Sequence, residues 1–277
     1  AVLMDGRQLR IVFMGTPDFA VGPLSALVDG GYNIVGAVTM PDKPAGRGQK
    51  LQESAVKRYA ISKGLRIMQP EKLKDPDFVE EFRSLNADLG VVIAFRMLPE
   101  IIWAAPRLGT INRHASLLPQ YRGAAPINRA IMNGETVTGV TTFFLQHEID
   151  TGDIIGQQQV RIEDNDTAGT LHDKLMSVGA GLILDTVDRI AGGDAIPIPQ
   201  PNVDIVKVTP KIGKEDCMVD WSMTAKEVYN HVRGLSPYPA AWTTIRKLYR
   251  EGEPDALAVP DDSLVVKICC CEKKGCG

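Results

Sequence analysis

The 277-residue sequence has no apolar run near the roughly 18 residues that a spanning helix requires; its candidates are short stretches such as Leu89 to Phe95. No membrane span is expected. The first ten residues lack a basic segment followed by an apolar one, so no secretory signal is expected and a cytoplasmic location is the default. Cysteine is scarce and badly distributed for cross-linking. Of five, only Cys217 lies outside the last nine positions, which hold Cys269, Cys270, Cys271 and Cys276. A disulfide framework would be spread along the chain, so reduced thiols are expected. The paired spacing of a zinc knuckle is missing too, and no histidine follows, so no metal site is expected. Phosphate-binding glycines are also absent. The turn Gly15-Thr16-Pro17-Asp18-Phe19 has one glycine where a dinucleotide fingerprint needs three, and Pro17 removes a backbone donor. Nicotinamide and flavin chemistry is not expected, and no P-loop pattern occurs.

What is present is an ordinary globular composition, 44% hydrophobic and 23% charged, which supports a sizeable core and excludes a disordered or collagen-like chain. The length suits one large domain or two unequal ones. A net charge of -3 argues against indiscriminate coating of nucleic acid. Locally the balance reverses. From Pro41 to Lys72 the cations Lys43, Arg47, Lys50, Lys57, Arg58, Lys63, Arg66 and Lys72 face only Asp42, Glu53 and Glu71, a balance of +5. Such a segment suits a phosphate backbone, although charges of this kind standing alone are more often a solvated helix face.

Hydrophobic patterning alternates strands and helices. Strands are expected at Arg10 to Met14, Ile34 to Thr39, around Ile67, at Leu89 to Ala94, ending at Asn112 to His114, near Val140 to Leu145 and at Ile154 to Val160. Helices are expected at Asp18 to Asp29, near Ser54 to Lys63, within Asp77 to Leu85, around Ala125 to Met132 and from Thr167 to Ala191. This order implies an α/β fold with a parallel or mostly parallel sheet covered on both faces. The stretch Ile196-Pro-Ile-Pro-Gln-Pro201 cannot continue a helix and favours a stiff, extended connection. The expected division is therefore a catalytic domain over 1–195, a linker over 196–208 and a second domain over 209–277. In the last, Ile205 to Thr209 reads as a strand and Ala225 to Arg233 as a helix; beyond Trp242 no assignment is made.

Asn112 and His114 stand two apart at a strand end, so both side chains face one side of the sheet, at the carboxyl edge where open α/β folds bind ligands. After them come Ser116-Leu117-Leu118-Pro119 and Arg122-Gly123-Ala124-Ala125-Pro126, small residues that allow close approach to backbone. Asp150-Thr151-Gly152-Asp153 is a polar turn between two apolar strands that brings a carboxylate to the same edge. By spacing alone, a histidine near a strand end is more often a satisfied surface or core residue than a catalytic one.

The run from Asn112 to Ile127, with Asp150 to Asp153, closely resembles the methionyl-tRNA formyltransferase family. Phe13 to Phe19, Pro41 to Gly48 and Leu235 to Trp242 resemble it as well, in consistent order from about residue 10 to 243. The resemblance implies a Rossmann-like formyltransferase domain joined to a smaller, β-rich, OB-like domain. It also implies transfer of formyl from 10-formyltetrahydrofolate, as co-substrate and without a metal, to the methionyl amine of initiator tRNA, by a monomer that supports translation initiation. Asn112, His114 and Asp150 match the family's catalytic triad. Ser116, Leu117, Leu118 and Pro119 match its folate-binding segment. Phe95, Arg96, Met97 and Leu98 fall where the family lines the pterin pocket. Lys43, Arg47 and Lys50 belong to the loop that meets the tRNA acceptor end.

Three departures stand out. Arg96 replaces the glycine of the family's aromatic-glycine pair. Arg113 replaces an apolar residue, and alternation points it to the face away from Asn112 and His114. Fewer than 80 residues follow the proline-rich stretch and the last 30 or so do not match, so an incomplete or divergent barrel is expected. The rival within the chemistry is a sugar-nucleotide N-formyltransferase. A formyltetrahydrofolate hydrolase would need water, a much poorer nucleophile than an amine. Outside enzymes, the alternative is an RNA-binding module. The basic loop, with Lys207, Lys211, Lys214, Arg233, Arg246 and Lys247, favours tRNA.

Overall fold

The computed structural model describes residues 4–45, 50–246 and 263–272. After a one-turn 3-10 helix at Gly6–Gln8, strand β1 (Arg10–Gly15) runs into α1 (Asp18–Asp29), β2 (Asn33–Val38), β3 (Lys43–Ala45), β4 (Lys50–Gln52), α2 (Ala55–Ser62) and β5 (Ile67–Met68). Then come α3 (Pro76–Ser84), β6 (Leu89–Ile93), α4 (Glu100–Trp103), β7 (Thr110–His114), β8 (Arg122–Gly123) and α5 (Pro126–Met132). The chain continues through β9 (Val137–Phe144), β10 (Ile154–Arg161), α6 (Ala168–Gly192), β11 (Val208–Thr209), α7 (Ala225–Leu235), β12 (Ala241–Arg246) and β13 (Ser263–Ile268).

Local chemistry explains the boundaries. Pro17 occupies the N-cap of α1, and the helix stops at Gly30 and Gly31, the latter at φ 78°. The Ser54 hydroxyl accepts from the Lys57 N–H at 3.0 Å and starts α2. Asp75 caps α3, with Pro76 in the first turn where its missing N–H costs nothing.

Seven strands form the main sheet in the order β10-β9-β7-β6-β1-β2-β5. From β5 to β7 all pairings are parallel, whereas β9 runs antiparallel to β7, with Asn112 opposite Phe143 and His114 opposite Thr141. The sheet is thus mixed. Order reverses between β1 and β6, the position at which such sheets open a crevice at their carboxyl ends.

Alternation along the strands builds two cores. Ile11, Phe13, Val91, Ile93 and Ile111 pack with Leu24 and Leu27 of α1 and Ile183 and Val187 of α6. Val12, Met14 and Val92 pack on the other face with Phe78, Val79 and Phe82 of α3 and Ile102 of α4. Val92 pairs with Asn112, so the face that carries Asn112 is the one covered by α3 and α4.

Two compact units emerge. The first comprises Ala1–Arg122, Thr138–Val160 and Asp173–Val208; the second comprises Gly123–Val137, Arg161–His172 and Thr209–Gly277. The proline-containing stretch 196–208 therefore lies within the first unit. In the second, α5 meets α7 through Asn128 Nδ2 donating to the Gly234 carbonyl at 2.8 Å. The buried Arg233 guanidinium donates to the carbonyls of Glu163 and Asp166 and to Asn230 Oδ1. A small core of Cys217, Val219, Val232, Leu235 and Ala241 underlies the antiparallel pair β12–β13. The strand expected over Ile205 to Thr209 is reduced to β11. Ile205 is 77% exposed, with no sheet face to bury it.

Candidate active site

His114 closes β7 and is almost wholly buried. Its Nε2 lies 2.7 Å from the Tyr121 carbonyl oxygen, and its Nδ1 lies 3.6 Å from Asp150 Oδ2. A carbonyl accepts and never donates, so Nε2 is the protonated nitrogen. Nδ1 faces the Asp150 carboxylate. Two residues earlier on the same face, Asn112 is partly exposed, and its carboxamide has no hydrogen-bond partner among the described residues. Its two N–H donors are available to a ligand.

Asp150 reaches His114 from the turn between β9 and β10. Its backbone is left-handed at φ 55°, and Gly152 allows the turn to fold down, since a Cβ there would collide with the Phe144 carbonyl. His114 and Asp150 thus meet although 36 positions separate them, and Asn112 lies two residues before His114 on the same face of β7.

Arg113 points to the opposite face, as alternation requires. Its guanidinium stacks 4.1 Å from the Phe19 ring of α1, and Nη1 sits 3.5 Å from the Met176 carbonyl of α6. A Cβ at Gly179 would fall within 3 Å of three Arg113 atoms, so this glycine makes the room that the long side chain needs. Nε and Nη2 are buried without a hydrogen-bond partner, and burial pushes the guanidinium down to about 9.

The segment that resembles a folate-binding stretch is largely internal. Ser116 and Leu118 are buried, as is Pro119, while Leu117 is partly exposed. Ser116 Oγ donates to the Gln120 carbonyl at 2.6 Å, and Thr141 Oγ1 joins the backbone of Ser116 and Leu118. These bonds shape the loop that presents the Tyr121 carbonyl. Phe95 to Leu98 follow β6, which pairs with β7, at the same carboxyl edge. Leu98 is buried in the core, Phe95 packs partly against it and Met97 is 71% exposed. Arg96 donates to the carbonyls of Pro70 and Glu71.

Basic residues divide in the same way. Lys57 is held by Asp42 at 2.6 Å and Glu53 at 3.2 Å, and Arg66 by Glu81 at 3.0 Å. The Lys57 ammonium and the Gln69 amide keep the Asp42 carboxyl below the ordinary carboxylate range. Lys43 on β3 is exposed; Lys50 lies on β4, and Arg47 lies outside the described residues.

Sequence reasoning missed two contributors. Tyr121 acts through its carbonyl, which no side-chain signal reports. Gln200 donates from Nε2 to the carbonyls of Asp150 at 2.7 Å and Gly152 at 3.0 Å, from a stretch whose only visible signal was proline.

The geometry and fold belong to a recognisable class. The "Formyl transferase" family model matches residues 9–187, and "Formyl transferase, C-terminal domain" matches 211–251. Among solved structures, an N-formyltransferase from Helicobacter canadensis, in complex with folinic acid and dTDP-3-aminofucose, covers 82% of this chain and 80% of its own at 22% identity, TM-score 0.65. A sugar N-formyltransferase from Shewanella has a TM-score of 0.67 at 16% identity, covering 96% and 99%. These two share the fold. Much nearer in sequence is the methionyl-tRNA formyltransferase of Parabacteroides distasonis, 61% identical over 247 residues, 87% of this chain and 76% of the relative. That of Bacteroides fragilis is 55% identical over 268 residues, 96% of this chain and 82% of the relative. The chain belongs to the methionyl-tRNA formyltransferase family.

Proposed function

We propose that this chain transfers the formyl group of 10-formyltetrahydrofolate to the amino group of methionyl initiator tRNA. The observation that carries the reading is His114 set against Asp150 at the carboxyl edge, its imidazole oriented at both nitrogens, with the Asn112 carboxamide unpartnered among the described residues on the same strand face.

The acceptor amine has a reference pKa of about 7.7–8.0, so an appreciable fraction is neutral and nucleophilic near pH 7.5. No strong base is required. Attack on the formyl carbon develops negative charge on the formyl oxygen, and the Asn112 N–H groups are suited to receive it. One such donor is typically worth about 2.7–4 kcal/mol. The amine must lose a proton as the new C–N bond forms, and the departing nitrogen must gain one. His114 Nδ1, facing the Asp150 carboxylate, suits both transfers. Phe95 and Met97, beside the same edge, offer apolar surface to a pterin ring, and the Ser116 to Pro119 segment contributes shape and backbone. Lys43, Arg47 and Lys50 serve the tRNA acceptor end. No group of three or more metal-ligating side chains occurs among the described residues, and the proposed transfer invokes no metal.

An amino-sugar nucleotide is the competing acceptor, favoured only by the shared fold of the solved neighbours. The test offers 10-formyltetrahydrofolate with methionyl initiator tRNA and, separately, amino-sugar nucleotides. Formylation of the tRNA is the expected result. Formylation of the sugars alone would overturn it.

A further inference from the structure

The stretch 198–207 runs alongside the reaction centre. Ile198 exchanges two backbone hydrogen bonds with Ile154, at 2.8 and 2.9 Å, just beyond the Asp150 turn. Gln200 follows. Its amide donates to the carbonyls of Asp150 and Gly152, and its Oε1 accepts from Arg122 Nε at 3.2 Å and Nη2 at 2.6 Å. Both polar ends of this side chain are therefore engaged. Further on, the Lys207 carbonyl accepts from the Tyr121 N–H at 2.6 Å, and its N–H donates to Gln120 Oε1 at 2.9 Å.

The burial of these residues inverts hydrophobic order. Ile196, Ile198 and Ile205 are 72%, 62% and 77% exposed, whereas Gln200 between two exposed prolines turns inward. Transfer of apolar surface does not dictate that arrangement. The hydrogen bonds do. Pro199 and Pro201 fix the local backbone in extended form, which lowers the entropy lost when the intervening side chain is ordered.

The consequence falls on His114. One of its nitrogens is held by the Tyr121 carbonyl and the other faces Asp150, and each partner is fastened to the same connecting stretch. We propose that Gln200 is a positioning residue of the reaction centre, which together with Lys207 makes the connection a clasp that holds both neighbours of His114 in register. This rests on the formyl-transfer reading for its kinetic consequence. The bracing of the turn stands independently of it. Loss of the clasp frees a turn whose Asp150 backbone is left-handed, and a displacement of about 1 Å at a catalytic group typically costs about a hundredfold.

Two variants of the full chain test the proposal. Gln200→Ala removes every contact, and Gln200→Glu keeps the oxygen that accepts from Arg122 while opposing two carbonyls with a carboxylate. Each is expected to lower kcat about ten- to a hundredfold while the KM for either substrate changes less than about threefold. Combined with Asp150→Asn, Gln200→Ala should add less than a threefold further loss, because the group it positions is already disabled. Hydrogen exchange at Asp150 to Asp153 should quicken in Gln200→Ala. Wild-type kcat in a folded variant, a full multiplicative loss in the Asp150→Asn background, or unchanged exchange in the turn would each overturn the proposal. If the unaltered chain formylated no acceptor, the functional reading would fail, and the exchange measurement alone would decide whether Gln200 braces the turn.

Discussion

At the scale of single residues, adjacent positions on one strand face opposite physical problems. Asn112 has an unpartnered carboxamide among the described residues and His114 sets its nitrogens against Tyr121 and Asp150, while Arg113 carries a buried charge with two nitrogens unpaired. Asn112→Ala and His114→Ala should each lower turnover at least about a hundredfold; stability should change little in Asn112→Ala, whereas His114→Ala, which leaves the Tyr121 carbonyl without its buried donor, should cost about 1–3 kcal/mol. Asp150→Asn should be comparably severe, because it keeps size and removes the charge facing Nδ1. Steady-state kinetics beside a thermal melt checks all three. Arg113 makes a prediction of opposite sign. Its guanidinium is pushed down to about 9 in the fold, well below its range when solvated, so the unfolded chain binds more protons from about pH 9 upward. Stability should therefore rise with pH through that window, and below about pH 9 the buried charge costs stability in full. Arg113→Met, of similar length and uncharged, should stabilise the protein by about 1–3 kcal/mol at pH 7, with the advantage shrinking above pH 9. Urea titrations at pH 7 and 10 measure both effects; a destabilised Met variant would show that the Phe19 stack and the Met176 carbonyl outweigh the desolvation.

Among elements, the turns carry the site and the helices support it. The β9–β10 turn depends on Gly152 because the Phe144 carbonyl occupies the place of a side chain, whereas Gly181 on α6 has nothing within 4 Å of the corresponding position. Identical substitutions should then diverge. Gly152→Ala should destabilise by about 1–3 kcal/mol and reduce activity by shifting Asp150, and Gly181→Ala should stabilise by about 0.5–1 kcal/mol with activity unchanged. Denaturant midpoints and kcat on the two variants provide the comparison, and equal behaviour would remove the turn from the argument.

For the whole molecule, charge is unevenly used. The chain is net negative, and part of the basic segment is spent internally, with Lys57 and Arg66 held by carboxylates. Lys43, Arg47 and Lys50 are the cations expected to meet phosphate. Arg47→Ala and Lys43→Ala should each make the salt dependence of tRNA binding shallower by close to one unit of slope, with tetrahydrofolate affinity nearly unchanged. A salt series read separately for both ligands tests this, and equal losses would assign the loop to folate. How much was legible beforehand follows from the range of the forces involved. The ends of α1 were readable because Pro17 and Gly30-Gly31 act on their own neighbourhood, and the shared face of Asn112 and His114 because strand alternation is local. The opposed direction of Arg113 came from the same rule. By contrast, the antiparallel β9, the glycine that admits Arg113, the carbonyl that fixes Nε2 and the hold of Gln200 on Asp150 join residues from 7 to 66 positions apart. The sequence by itself determined the elements and the residue types able to do the chemistry. Only the tertiary structure decided which backbone carbonyls and which distant amide orient them, because hydrogen bonds formed by chain closure leave no periodic trace in the amino acids that make them.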